Sequence, residues 1–222
     1  MGSEILNLEG LRSISRVRRG WPHSPILDVA YADMQYGKEF DLVPAPGVTR
    51  MLIGDRPGLC LAAPGLSSSI PLAAACVAVL PPDMGVTLSS SEGVPTFYIV
   101  ALKADGELPC IVMGEVRQAN VAPVCLEQTV VMRLCSAGLT SIELWRFPTR
   151  ESRAEVAGPA LILPIGEGEL NIWPDIVSRF RFSHAGDFDM RVRASHLLTY
   201  GQSASLTSTP TGGSCIVMQF AD

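Results

Sequence analysis

The chain holds three histidines, His23, His184 and His196, and any imidazole base or imidazole-bound metal must draw on them. None lies beside a cysteine pair. The six cysteines, Cys60, Cys76, Cys110, Cys125, Cys135 and Cys215, form no C-x-x-C motif, so the usual zinc spacing is absent. Most sit inside or beside apolar runs, which reads as buried reduced thiols in an intracellular protein rather than a disulfide framework. Asp187 and Asp189 stand two apart, a spacing at which two carboxylates can hold a cation or act as acid and base. Their alternation continues into Arg191 and Arg193, and the plainer reading is a solvated or partner-facing charge ladder. Gly166-Glu167-Gly168-Glu169 is glycine-rich, yet its carboxylates would repel a phosphate and no lysine follows. No metal and no cofactor is expected.

Gly212-Gly213-Ser214-Cys215 is similar to the nucleophile loop of chymotrypsin-like proteases. The chain ends at Asp222, however, too soon for the strands that follow that loop. A triad also needs an imidazole and a carboxylate to converge on the serine. His184 reads as a hairpin-turn residue and His196 as a strand-end residue. The expectation is that the protein is not an enzyme, with a β-barrel hydrolase using His184 or His196 as the lesser alternative.

The charges favour contacts over chemistry. Of 17 basic residues only Lys38 and Lys103 are lysines, which leaves 15 arginines. Arginine forms bidentate pairs and is enriched at interfaces, where lysine is depleted. Arg12, Arg16, Arg18 and Arg19 cluster near the start and could contact RNA phosphates or a partner's acidic surface. A net charge of -5 excludes a strongly basic nucleic-acid module. Hydrophobic residues make up 47% and charged residues 18%, which excludes general disorder. The N-terminus lacks the basic start and apolar run of a secretory signal. The longest apolar run, Ile70 to Leu80, contains Pro71 and is too short to span a membrane.

The elements that would position these residues read as strands. Residues 1–25 look like an extended arm. Val48 to Ile53 and Leu59 to Ala62 read as strands around the turn Gly54-Asp55-Arg56-Pro57-Gly58. Pro71 to Leu80 could be a short buried helix or a strand. Thr96 to Leu102 and Cys110 to Val116 suggest a hairpin. Gln128 to Leu134, Thr140 to Phe147, Ala160 to Ile165 and Ser214 to Phe220 are further strands. Residues 179–194 alternate apolar and charged around Ser183-His184-Ala185-Gly186, a second hairpin. Ser203 to Thr211 reads as a surface loop. The 20 glycines and 17 prolines fit many tight turns, and no internal repeat is evident. About eight strands with no amphipathic helix predict an all-β, jelly-roll-like sandwich over residues 26–222.

Residues 171–182, Asn171 to Phe182 with Trp173, Arg179 and Arg181, continue through Gly186-Asp187-Phe188-Asp189-Met190-Arg191-Val192. This stretch resembles a strand segment of picorna-like virus coat proteins, in which an aromatic and arginine cluster precedes a glycine and an alternating strand. The resemblance implies a jelly-roll subunit of an icosahedral capsid around an RNA genome, without cofactor or catalytic residues. It further implies copies of itself or sister coat subunits as partners, genomic RNA as a further one, and a location in the virion and the host cytoplasm during assembly. Gly2 suits the plant-infecting branch, where a polyprotein is cut ahead of a small residue. The other reading is a β-sandwich binding module, a viral accessory or movement-type protein that contacts RNA or host proteins.

Overall fold

The structure, a computed structural model, describes residues 11, 13–17, 25–104, 110–115, 124–125, 138–147, 153–166, 170–174, 196–198, 203–208 and 212–221. All the regular elements among them are β-strands, as the turn-rich composition predicts. They divide into two compact units where the sequence suggested one sandwich. The strands are short and their apolar runs are interrupted every few residues, so sequence spacing alone does not reveal which strands share a core.

The first unit has two sheets. The larger is built from β1 (Ser13–Val17), β2 (Ile26–Asp33), β4 (Val48–Gly54), β7 (Cys76–Leu80), β9 (Thr96–Lys103) and β10 (Val112–Glu115). Its order is β1-β2-β9-β4-β7-β10, antiparallel throughout. The smaller sheet contains β3 (Glu39–Leu42), β5 (Leu59–Ala62), β6 (Ile70–Leu72) and β8 (Val86–Ser90), in the order β3-β8-β5-β6. The strand period of two decides what lies between the sheets. Ala30, Ala32, Leu52, Ala78, Phe97 and Ile99 from the large sheet meet Phe40, Leu42, Leu59, Leu61 and Leu88 from the small one. The opposite face of the large sheet is also buried, through Val29, Met51, Ile53, Val79, Tyr98 and Val100. That explains why its strands read as continuous apolar runs rather than clean alternation.

The second unit repeats the plan. Its larger sheet runs β11-β12-β18-β14-β16, with β11 at Val124–Cys125, β12 at Leu139–Phe147, β14 at Ala160–Ile165, β16 at His196–Leu198 and β18 at Gly213–Phe220. Its smaller sheet runs β13-β17-β15, with β13 at Arg153–Ala157, β15 at Leu170–Pro174 and β17 at Ser203–Ser208. Phe147, Val156, Ile162, Leu206 and Val217 fill the space between them. The order β2-β9-β4-β7 in the first unit matches β12-β18-β14-β16 in the second, and β3-β8-β5 matches β13-β17-β15. The chain is therefore a tandem of two sandwiches of one topology, a repeat carried by strand order rather than by residue identity.

Several local expectations change. Residues 71–80 form neither a helix nor one strand. Ala75, at φ 58°, breaks the run, so β6 and β7 enter different sheets. Residues 96–102 and 110–116 do not pair as a hairpin, because β9 lies between β2 and β4 while β10 pairs with β7. Residues 203–208 are a strand rather than a surface loop, with Ala204, Ser205 and Leu206 buried. Within the expected N-terminal arm, Ser13–Val17 pairs with β2. The strand expected at 128–134 and the hairpin expected at 179–194 lie outside the described residues.

Candidate functional site

A sandwich is open where the edge strands of its two sheets do not meet. In the first unit β10 ends the large sheet and β6 ends the small one. Between them lies a cleft of about 440 Å³. Leu66, Ile70 and Pro71 form one wall, and Cys76, Ile111, Met113 and Gly114 the other. The register explains the second wall: Met113 stands opposite Ala78, and Gly114 opposite Val77. Gly114 has no side chain to fill the space. Leu66 is an apolar side chain left 39% exposed at the rim. Cys76 begins β7, belongs to the core cluster and is not in a disulfide. The cleft offers apolar surface and one thiol, and its size matches that of small-molecule sites, about 300–1,000 Å³.

At another end of the same sandwich a cation is buried. Arg50, on β4, has the register position opposite Ala101 and Leu80, and is only 1% exposed. Its Nη2 donates to the carbonyl of Met84 at 2.6 Å, and its Nη1 donates to that of Val43. Burial lowers its pKa to about 10. The sequence reading did not single out Arg50, although a lone arginine inside the apolar run Val48 to Ile53 was a visible signal.

The residues that the sequence did single out are not brought together. Arg16 lies on β1, opposite Ala30, while Arg12, Arg18 and Arg19 lie outside the described residues. His23, His184, Asp187 and Asp189 also lie outside them. His196 begins β16, opposite Ile162. Ser214 sits within β18, opposite Arg146 and Ile165, so it belongs to a strand and not to a nucleophile loop. Its neighbour Cys215 is fully buried, and burial pushes its thiol up to about 12. Gly166, at φ 68°, turns the chain out of β14.

The architecture is similar to solved bacterial structures. YhhW from Escherichia coli matches with a TM-score of 0.61 at 9% identity, covering 97% of this chain and 93% of that one. YhaK from Escherichia coli matches at 0.58 and 11% identity, covering 96% of each chain. Ylba from E. coli, described by the family term DUF861, matches at 0.55 and 8% identity, covering 99% of this chain and 88% of that one. No protein-family model and no curated protein matches. These are structures of bacterial proteins and not of viral coat proteins, which corrects the coat-protein reading and with it the capsid function and the virion location. The jelly-roll-like sandwich part of that reading stands, because the described strands form antiparallel sheets packed as sandwiches.

The fold does not by itself exclude metal or catalytic chemistry, since a nickel(II) complex of YhhW, a bacterial pirin, also matches with a TM-score of 0.54 at 10% identity. Nickel favours imidazole and other nitrogen donors. The described interior of the first unit presents Leu52, Leu59, Leu61, Leu80 and Leu88 and contains no histidine. Among the described residues no three of His, Cys, Asp and Glu come together. The described part of the first unit's core therefore does not fit such an ion. Each of the two units is a jelly-roll-like β-sandwich.

Proposed function

We propose that the chain is a cupin-type small-molecule-binding protein, and that the first unit takes a compact, uncharged, largely apolar ligand in the cleft between β6 and β10. The observation that carries this reading is the cleft itself, about 440 Å³ and walled by Leu66, Ile70, Pro71, Ile111 and Met113. Removing an apolar ligand from water against such walls is the driving force, at roughly 25 cal/mol per Å² of apolar area buried. Cys76 adds a polarizable contact, and the exposed Leu66 gives the rim a side chain that can close over a bound molecule.

The test is a titration with N-phenyl-1-naphthylamine, a neutral apolar fluorophore. The wild-type protein should enhance its fluorescence saturably. Met113→Glu, which places a carboxylate on the wall, should weaken binding at least tenfold while circular dichroism stays unchanged. Equal affinity in the two proteins, or no saturable binding by the wild type, would overturn the reading.

A further inference from the structure

We propose that the first unit binds a divalent, calcium-sized cation between Asp33 and Asp55, at one end of its large sheet. Asp33 ends β2, and Thr96 begins β9 directly opposite it. Asp55 follows β4, and its backbone N–H donates to the Thr96 carbonyl at 2.9 Å. The three residues thus form a row across neighbouring strands with the threonine in the middle. All three are buried, with no more than 2% exposure each.

Asp55 is well served. Its Oδ2 accepts from the Tyr31 hydroxyl at 2.8 Å and from the Thr96 hydroxyl at 2.7 Å. Tyr31 in turn packs on Tyr98, with ring centroids 4.7 Å apart. Asp33 is different: both its carboxylate oxygens are buried, and among the described residues neither has a hydrogen-bond donor. Asp33 lies two residues beyond Tyr31 on the same strand, so the alternation of side chains directs it to the sheet face on which Tyr31 and Thr96 meet Asp55. A buried carboxylate without a donor is strongly disfavoured unless a positive charge joins it.

The donor chemistry selects the ion. Two carboxylates carry two negative charges, which a divalent cation neutralises. The Thr96 hydroxyl spends its proton on Asp55 and keeps lone pairs. Every donor is oxygen, which favours a hard cation over a transition metal. Adjacent strands lie about 4.8 Å apart, so Asp33 and Asp55, two strands apart, have backbones separated by roughly 10 Å. Such an irregular set of oxygen donors suits the flexible oxygen shell of calcium better than the strictly octahedral shell of magnesium. Neither aspartate takes part in the apolar cleft.

The experiment uses the full chain after exhaustive chelation. Terbium, a luminescent calcium substitute, should be sensitised through the tyrosines on excitation at their absorption band, and calcium should displace it. Calcium at a hundredfold over its Kd should raise the Tm by roughly 5–10 °C. Asp33→Asn should abolish both effects, while Asp41→Asn, at an exposed carboxylate bonded to Thr87, should keep them. A wild type that gives neither luminescence nor a Tm rise overturns the proposal, whether or not Asp33→Asn folds. So does an Asp33→Asn protein that responds to calcium like the wild type.

Discussion

Arg50 donates from Nη2 to the carbonyl oxygen of Met84, 34 residues later in the chain, at 2.6 Å. With its second bond, to the carbonyl of Val43, one guanidinium ties the chain after β3 to the turn between β7 and β8. The planar fork is what allows both contacts at once. Arg50→Lys keeps a buried charge but loses the fork, whereas Arg50→Leu removes the charge and orphans two carbonyls. We expect the lysine variant to be the less stable, losing about 3 kcal/mol against about 1–2 kcal/mol for the leucine variant. Urea unfolding of the two proteins side by side checks the order. A leucine variant less stable than the lysine variant would mean that the charge itself matters more than its geometry.

Cys215 gives the stability a pH dependence of known sign. The folded state holds its thiol up to about 12, against 9.0 for an unperturbed thiol. Between those values the unfolded chain loses a proton that the folded chain keeps, so stability falls as pH rises above 9. The loss approaches about 1.4 kcal/mol per pH unit. Cys215→Ala should start less stable, because of the cavity it leaves, yet lose less between pH 9 and 10. Urea midpoints at those two pH values measure the difference. In the same folded protein a thiol reagent should label the exposed Cys110 first and Cys215 only on unfolding, which peptide mapping will show.

Two glycines with positive φ should respond very differently to alanine. At Gly58, φ is +103° and a Cβ would stand 2.2 Å from the Glu92 carbonyl oxygen. At Gly47, φ is +74° but nothing lies within 4 Å. Gly47→Ala should cost about 1 kcal/mol, from backbone conformation alone. Gly58→Ala should cost about 3 kcal/mol or more, because a backbone carbonyl must also move. Thermal unfolding of the two variants separates strain from crowding, and equal losses would contradict the close approach.

The strands were legible in the sequence where the apolar run was long. Val48 to Ile53, Thr96 to Leu102, Thr140 to Phe147 and Ala160 to Ile165 all correspond to strands. Their partners were not legible. β9 joins β2 and β4, whose sequence distances differ widely, and such pairing follows from the closure of a whole sandwich rather than from any local turn. Residues 203–208 read as a loop because serine and threonine dominate, although Leu206 and Ala204 alternate towards the core. The cleft depends on two edge strands that approach only in space. Asp33 and Asp55 were overlooked because each stands at the end of an apolar run, where a carboxylate usually marks the start of a turn. That Asp33 lies in a buried row became clear only from the register with Thr96.

Pro71 sits in the middle of the three-residue edge strand β6, opposite Cys60. It has no N–H to offer an incoming chain, and the strand is too short to template another. The same residue that helps wall the cleft therefore also guards the small sheet against edge-to-edge aggregation, so the opening can remain accessible to a small molecule without becoming a seed for strand addition.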